Sequence, residues 1–452
     1  MAPGIGTAAP DPHDVPRSTT RGHQLHEAAC AVLPGGVNSA TRYIGAPYAF
    51  ASGNGAYVED VDGNRYLDFH AAFGAVLLGH NDPVVDEAVR NVIGSIDVFG
   101  LGVTELEIEL ARRIVDVIPS AEMMISTMSG SEATAQAIRL ARAATGRPLL
   151  IKFQGGFHGW HDAVARNVIS APERAYGRDP LSAGILDHAL DSTLIAEFND
   201  LDSVRAMFDQ HEARIAAVIL EPIPHNVGAL VPDQEFVEGL RTLTSERGTI
   251  LIFDEVITGF RHALGGYQQV CGVHPDLTTF GKGMANGYPI GGLAGSRDLM
   301  ERFDGRSGDV LLAGTFNGYP VGTAAAIATI DYLRTHPDFY TRTHRLGERI
   351  RAGLRDITAE LGLEVTVAGF GGVFAMYFGT GDISGYRQLM RNDNAAYAGF
   401  HRRMSEAGHL MIPMALKRNH ISGAHTDDDI DRALQAADDV LRAMLAAGEL
   451  PT

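Results

Sequence analysis

In the middle of the chain, short apolar runs alternate with stretches of helical periodicity. Residues 149–153, 215–220 and 249–253 are largely apolar, a pattern typical of strands that are buried on both faces. Between them, residues 131–144 and 234–245 repeat apolar side chains at helical spacing. This alternation predicts an α/β fold in which helices cover both faces of a mostly parallel sheet.

The region before this central part carries shorter patterns. Residues 57–69 are predicted to form two short strands joined at Asp62-Gly63, a dipeptide typical of hairpin turns. Residues 104–117 place apolar side chains on one face and are predicted to form a helix.

Near the C-terminus, helical spacing returns in residues 346–361, and apolar runs at 364–368 and 374–378 predict two strands. Thr426 is predicted to cap a last helix, in which apolar residues again recur at helical spacing. Together these elements predict a smaller α+β domain, completed by residues near the N-terminus.

We therefore expect four segments along the chain. Residues 1–24 are rich in Pro, Gly, Ala and Thr and are predicted to be a disordered leader. Residues 25–75 are expected to contribute to the small domain, residues 76–330 to form the large domain, and residues 331–452 to form the C-terminal small domain.

The composition narrows the possible classes of function. The chain has 452 residues, a formal net charge of −18 and no basic run, so we expect neither nucleic acid nor a membrane surface as a partner. Cys30 and Cys271 show neither metal-ligand spacing nor a disulfide framework, so no metal site is predicted. No apolar run approaches the roughly 20 residues that a membrane helix needs. We therefore expect a cytoplasmic protein.

Lys282 is one of only three lysines, since 34 of the 37 basic residues are arginines. It lies in a glycine-rich run, and Asp254 follows a predicted strand 28 residues upstream. A lysine amine forms a Schiff base with the aldehyde of pyridoxal phosphate, and a buried carboxylate holds the proton on its pyridine nitrogen. The pair therefore predicts pyridoxal 5′-phosphate as the cofactor. The structural alternatives are a surface lysine in a loop and an aspartate that caps a helix or turn.

Small and hydroxyl-bearing residues precede a predicted helix at Ser129-Gly130-Ser131. Free backbone N–H groups and the positive end of a helix dipole would bind a phosphate group there. The alternative is an ordinary helix cap. Thr315, ahead of an alanine-rich helix, is a candidate for a second phosphate hydroxyl, and capping is again the alternative.

Three further positions are candidates for contacts with the ring or the substrate. Phe157 could stack on the pyridine face, and the neighbouring His158 could do so instead. Trp160 could line the substrate pocket or belong to the core. Asn226 could donate to the phenolic oxygen of the cofactor or serve as a turn residue.

Taken together, these residues resemble the class III aminotransferases of fold type I, and most nearly the branch of the glutamate-1-semialdehyde aminomutases. The resemblance runs from about Leu33 to the C-terminus. It includes the motif Pro-Gly-Gly-Val-Asn-Ser at residues 34–39, the phosphate-binding motif at residues 129–133, which we call the phosphate cup, and Lys282. It implies a large domain with a seven-stranded sheet and a smaller α+β domain.

The resemblance also implies roles for individual residues. Phe157 and Val256 would pack on the two sides of the ring, and Asn226 would contact the phenolic oxygen. Thr315 would reach the phosphate of a neighbouring subunit. The protein would then be a homodimer with shared active sites, and residues 25–75 would contribute to its interface.

The substrate end of the site is predicted from fewer residues. Arg42 matches a position that binds a substrate carboxylate in relatives, and Ser39 precedes it in the same motif. Lys417 stands in the segment Met-Ala-Leu-Lys-Arg, where the aminomutases have a glutamate. This exchange of an acid for a base favours a substrate with different or greater negative charge. The alternative is that Lys417 and Arg418 are solvated surface charges.

These residues predict an aminotransferase that moves an amino group from an amino acid donor to an oxo-acid or aldehyde acceptor, with ping-pong kinetics through a Schiff base at Lys282. The alternative is an intramolecular isomerase, either an aminomutase or an amino-acid epimerase. The motif at residues 34–39 favours the isomerase, and Lys417 argues against it. A third hypothesis is a cofactor-binding protein without catalysis, against which Lys282, Asp254 and Asn226 together argue.

Overall fold

The computed structural model describes residues 20–43 and 48–450. The strands in these ranges are β1 (Phe50–Asn54), β2 (Tyr57–Asp60), β3 (Arg65–Asp68), β4 (Met123–Thr127), β5 (Leu149–Phe153), β6 (Thr193–Ala196), β7 (Ile215–Leu220), β8 (Ile250–Asp254), β9 (Leu277–Phe280), β10 (Gly291–Gly295), β11 (Val365–Ala368), β12 (Val373–Phe378), β13 (His409–Leu410) and β14 (Asn419–His420).

The helices are α1 (Thr20–Cys30), α2 (Ala71–Gly74), α3 (Pro83–Val92), α4 (Glu105–Val117), α5 (Gly130–Thr145), α6 (Asp187–Asp191), α7 (Leu201–Gln210), α8 (Gln234–Glu246), α9 (Gly266–Cys271), α10 (Arg297–Met300), α11 (Pro320–Thr335), α12 (Asp338–Glu360), α13 (Tyr386–Leu389), α14 (Asn394–Glu406) and α15 (Asp427–Ala446). Short 3₁₀ turns lie at Pro34–Gly36, Ala40–Arg42, Lys282–Ala285 and Glu301–Phe303. No helix in the described ranges is both long and apolar enough to cross a membrane.

A seven-stranded sheet forms the centre of the fold, in the order β4-β10-β9-β8-β7-β5-β6. β10 is antiparallel to both of its neighbours, and the other pairs are parallel. Alternate residues of β7 face opposite layers: Val218 packs in one core with α8, whereas Ala217 and Ile219 pack in another with α5. The predicted α/β fold with a mostly parallel, helix-covered sheet is therefore confirmed.

Two smaller sheets contain the strands from the two ends of the chain. One has the order β1-β2-β3-β13, so β13 near the C-terminus pairs with β3 near the N-terminus. The other is the antiparallel sheet β11-β12-β14. The helices α12, α14 and α15 share a hydrophobic core with them. The boundaries after residues 24, 75 and 330 remain predictions; residues 1–19 lie outside the described ranges, and residues 20–24 form the start of α1.

Most predicted elements appear within one or two residues of their expected bounds. The clearest difference is α12, which begins at Asp338, whereas the pattern predicted a start at residue 346. Its first turns bury Phe339 and Thr343 on the side that faces the core. Because threonine is not counted as an apolar residue, the sequence shows no helical spacing of apolar side chains before residue 346.

Parallel strands bring their carboxyl ends to one edge of the seven-stranded sheet, where ligands bind in open α/β folds. Asp254 ends β8, Glu221 follows β7, and Lys282 follows β9 after a single glycine. His158 lies in the loop after β5, and Ser129 in the turn after β4. The topology therefore gathers five polar side chains that are distant in sequence.

A left-handed turn at α2 borders this edge. Four consecutive residues have positive φ, at 48° for Ala71, 49° for Ala72, 57° for Phe73 and 84° for Gly74. Left-handed backbone costs a residue with a Cβ atom roughly 1–2 kcal/mol. The turn is held by Arg418, which donates to the Phe73 carbonyl at 3.0 Å, and by Arg261, which donates to the Gly74 carbonyl.

The strain at this turn predicts whether a substitution raises or lowers the free energy of unfolding. Ala72→Gly removes the Cβ atom from an exposed left-handed position, so we expect the free energy of unfolding to rise by about 1 kcal/mol. The matched control is Ala443→Gly at an exposed position in α15, where glycine lowers helix stability by about 1 kcal/mol. In thermal melts, the midpoint temperature should rise for Ala72→Gly and fall for Ala443→Gly. A lower midpoint for both variants would contradict the proposed strain at Ala72.

Candidate active site

A cavity of ≈ 260 Å³ lies at the carboxyl edge of the large sheet. Seven of the predicted site residues line it: Ser129, Gly130, Ser131, Phe157, Asp254, Val256 and Lys282. His158 and Glu221 line it as well. From the sequence, His158 was considered only as a stacking residue and Glu221 was not assigned to the site. The alternative that Lys282 is an exposed lysine in a surface loop is therefore wrong.

Lys282 begins a 3₁₀ turn immediately after Gly281, with φ at 45°. Burial lowers the pKa of its amine to about 8, and the positive charge of Arg418 adds to this effect, while Asp254 and Glu221 oppose it. An unperturbed lysine has a pKa of roughly 10.4. A much larger share of the Lys282 amine is therefore neutral near neutral pH, as a nucleophile must be.

Asp254 is buried, and both of its carboxylate oxygens are held. Oδ1 accepts from the Thr279 hydroxyl at 3.0 Å and from the Val256 N–H at 3.2 Å. Oδ2 lies 2.7 Å from Nδ1 of His158. His158, considered above as a stacking residue, instead orients the aspartate. Its distance of 96 residues from Asp254 leaves no local sequence signal for this contact.

The start of α5 forms the predicted cup. The Ser129 side chain accepts from the Glu132 N–H at 3.3 Å, so Ser129 is the helix cap. The N–H groups of Gly130 and Ser131, in the first turn, have no acceptor within the helix. A Cβ atom at Gly130 would lie 2.8 Å from the Val256 side chain, so glycine permits the close approach of the start of α5 to the turn after β8.

The residues of this cavity fit pyridoxal phosphate. An amine with a lowered pKa, a buried carboxylate and a helix N-terminus match the aldehyde, the pyridine nitrogen and the phosphate of that cofactor. Lys282, Asp254 and residues 129–131 would hold these three groups.

The family of the protein is identified by a match that extends over most of the chain. Residues 39–395 match the family described as aminotransferase class-III. The chain belongs to this family. The expectation of a pyridoxal-phosphate-dependent class III enzyme is thereby confirmed.

Named relatives of this class III enzyme resemble it along nearly its whole length. A glutamate-1-semialdehyde 2,1-aminomutase of Desulforudis audaxviator is 40% identical over 94% of this chain and 98% of its own. An ω-transaminase from Sphaerobacter thermophilus has 32% identity and a TM-score of 0.88, over 97% of this chain and 98% of its own. A glutamate-1-semialdehyde aminomutase from Pseudomonas aeruginosa PAO1, in complex with PMP, has 26% identity and a TM-score of 0.84, over 95% of each chain.

Asn226 and Lys417 lie beside the class III cavity. Asn226 donates from Nδ2 to Glu221 Oε1 at 2.9 Å, and the Lys417 amine donates to Asn226 Oδ1 at 3.4 Å. Both Lys417 and Arg418 are buried, so the alternative that they are solvated surface charges is wrong. The contact of Asn226 with the phenolic oxygen remains a prediction.

The other predicted site residues lie away from Lys282 within this chain. Arg42 lines a separate cavity of ≈ 190 Å³ beside α1, and the exposed Ser39 hydroxyl contacts Thr41. Trp160 is 73% exposed. Thr315 lines a further small cavity with residues of the loop before α4. Their roles in substrate or phosphate binding remain predictions.

The lowered pKa of Lys282 can be measured directly, because the chain has three lysines. In the apoprotein, we expect acetylation of Lys282 to reach half of its maximal rate near pH 8, since only the neutral amine reacts and its ammonium form is disfavoured by burial. Mass spectrometry of the peptide would give the rate at each pH. A lysine in a model peptide is the control, with a midpoint near its ordinary value of about 10.4. A midpoint near that value for Lys282 would refute the lowered pKa.

Proposed function

We propose that the protein is an intramolecular aminomutase of the glutamate-1-semialdehyde 2,1-aminomutase type. The full-length match to relatives of that name carries this proposal, since 40% identity extends over 94% of the chain. The aminomutase alternative therefore fits better than the transaminase that the sequence first suggested. An amino-acid epimerase has no comparable support.

The residues of the cavity suit this reaction. When bound, pyridoxal phosphate withdraws electrons from the carbon that carries the amino group. Asp254, held in place by His158 and Thr279, would pair with the ring nitrogen of the bound cofactor. The Lys282 amine would carry a proton from one carbon of the substrate to the neighbouring carbon.

The test uses one substrate. Wild-type enzyme should convert glutamate 1-semialdehyde into the product with the amino group on the neighbouring carbon, with no oxo acid added. Lys282→Ala should lower the rate by at least about 10³-fold, because it removes the proton carrier. Lys152→Met, at a buried lysine outside the cavity, is the control. Turnover that depends on an added oxo acid would instead support a transaminase.

We also propose a homodimer with shared active sites, in the cytoplasm. Large apolar side chains are exposed around Thr315: Phe99, Leu101 and Phe316 line the same small cavity, and Leu101 is 92% exposed. Exposed apolar patches of this kind mark protein–protein contacts. A second copy that covers this face would bring Thr315 toward the partner's phosphate cup.

Complementation between two inactive variants tests the shared site. Lys282→Ala lacks the amine, and Thr315→Asp would place a negative charge against the phosphate, so we expect each homodimer to be inactive. A mixed dimer should regain activity, because one of its two sites then has both native residues. Size-exclusion chromatography would show the dimer, and a mixture that forms dimers but stays inactive would contradict a shared site.

A further inference from the structure

Glu221 is a second carboxylate at the Lys282 cavity, and the cofactor's aldehyde, ring nitrogen and phosphate are all assigned to other residues. It follows β7 directly, lines the cavity and is 4% exposed. A buried carboxylate is costly unless it accepts hydrogen bonds. Glu221 accepts three in the described part of the chain, all from uncharged donors.

The two oxygens of Glu221 join two loops at the carboxyl edge of the large sheet. Oε1 accepts from the Phe157 N–H and from Nδ2 of Asn226, both at 2.9 Å. Oε2 accepts from the His225 N–H at 3.2 Å. Phe157 lies in the loop after β5, and Asn226 lies in the loop after β7, the neighbouring parallel strand. One oxygen atom therefore fixes a residue of each loop relative to the other.

Phe157 depends on this bond for its position. Its ring is expected to stack on the cofactor, and it lines the cavity, but it is 37% exposed and is not held by the core. Gly155 and Gly156 precede it, and glycine permits many backbone conformations. The hydrogen bond from the Phe157 N–H to Glu221 thus restricts the backbone at a point where the sequence does not.

The same carboxylate determines which end of the Asn226 amide it meets. An ionised carboxylate only accepts hydrogen bonds, so it pairs with the nitrogen of an amide and not with the oxygen. Nδ2 of Asn226 donates one N–H to Glu221, while Oδ1 accepts from Lys417 at 3.4 Å. An amide nitrogen carries two N–H groups. The second N–H is therefore available to an acceptor such as the phenolic oxygen of the cofactor.

Both bonds concern the position of the cofactor ring. We propose that Glu221 is a positioning residue, which holds the Phe157 backbone and the Asn226 amide in the arrangement that lets them contact this ring. Without Glu221, both groups would have to be ordered when the cofactor binds, and this ordering lowers affinity. The inference rests on the proposed function only in taking the Lys282 cavity as the cofactor site, and it applies to an aminomutase and a transaminase alike.

Cofactor binding tests this role without any turnover. Glu221→Met keeps the length of the side chain and removes both acceptors, so the dissociation constant of pyridoxal phosphate should rise at least about tenfold, the factor lost with one hydrogen bond. Glu221→Gln keeps one oxygen, which can still accept from Phe157 and Asn226, so the constant should stay within about threefold of wild type. Equilibrium dialysis of pyridoxal phosphate against each apoprotein gives both values.

Hydrogen exchange in the apoprotein measures the bond to Phe157 directly. The Phe157 N–H is protected by Glu221, so its exchange should become at least about tenfold faster in Glu221→Met. Glu221→Gln should keep most of the protection. Mass spectrometry of a peptide that spans residues 155–161 gives the rate. Because neither cofactor nor substrate is present, this result does not depend on which reaction the enzyme catalyses.

A double-mutant cycle separates positioning from general damage. When Phe157→Leu and Asn226→Ala are combined, the groups that Glu221 would position are gone. Glu221→Met should then raise the dissociation constant by less than about threefold. Glu197→Met is the matched control, because this carboxylate accepts from the Tyr386 N–H at 3.1 Å but does not line the cavity. It should leave the affinity for the cofactor unchanged.

Three results would overturn the proposal: wild-type affinity in Glu221→Met, equal losses in Glu221→Met and Glu221→Gln, or a tenfold effect that persists in the triple variant. If Glu221→Met fails to fold, Glu221→Asp takes its place in each measurement. That variant keeps the charge but draws the oxygens back by one carbon, so the dissociation constant should still rise. Wild-type affinity in Glu221→Asp would then contradict the positioning role.

Discussion

The register between two parallel strands sets the geometry of the whole site. Asp254 at the end of β8 pairs with Thr279 of β9, and the Thr279 hydroxyl donates to the Asp254 carboxylate at 3.0 Å. Lys282 follows three residues after Thr279, so this one pairing determines how the amine faces the carboxylate. A slip of β9 by one residue would turn the Thr279 side chain to the opposite face of the sheet, away from Asp254. Because β8 and β9 are buried between helical layers, the hydrophobic core resists such a slip.

Burial then gives these side chains their chemistry. All three lysines of the chain have a lowered pKa, about 7 for Lys152 and Lys417 and about 8 for Lys282. Arginines carry the surface ion pairs instead, and they keep their charge under all ordinary conditions. The amines of the chain thus lie at sites where burial favours the neutral form, and the positive charges of Arg418 and Arg261 lower the pKa of Lys282 further.

The sequence predicted the parts of the molecule whose signals are local. β5 and β7 were found because strands buried on both faces are continuous apolar runs. β10 contains three glycines and β9 two threonines, so neither shows such a run. Lys282, Asp254 and the cup lie directly after strands and could be recognised there. The contact of Lys417 with Asn226 joins positions 191 residues apart, and only the folded chain brings them together.

The central claim is that Lys282, and no other lysine, holds pyridoxal phosphate opposite Asp254. Borohydride reduction of the holoenzyme, followed by mass spectrometry of its peptides, tests this directly because the chain offers only Lys152, Lys282 and Lys417 as alternatives. We expect a phosphopyridoxyl group on the Lys282 peptide alone. In Asp254→Ala, we expect much less of this labelled peptide or none. A group on Lys152 or Lys417, or no labelled peptide from enzyme saturated with the cofactor, would contradict it.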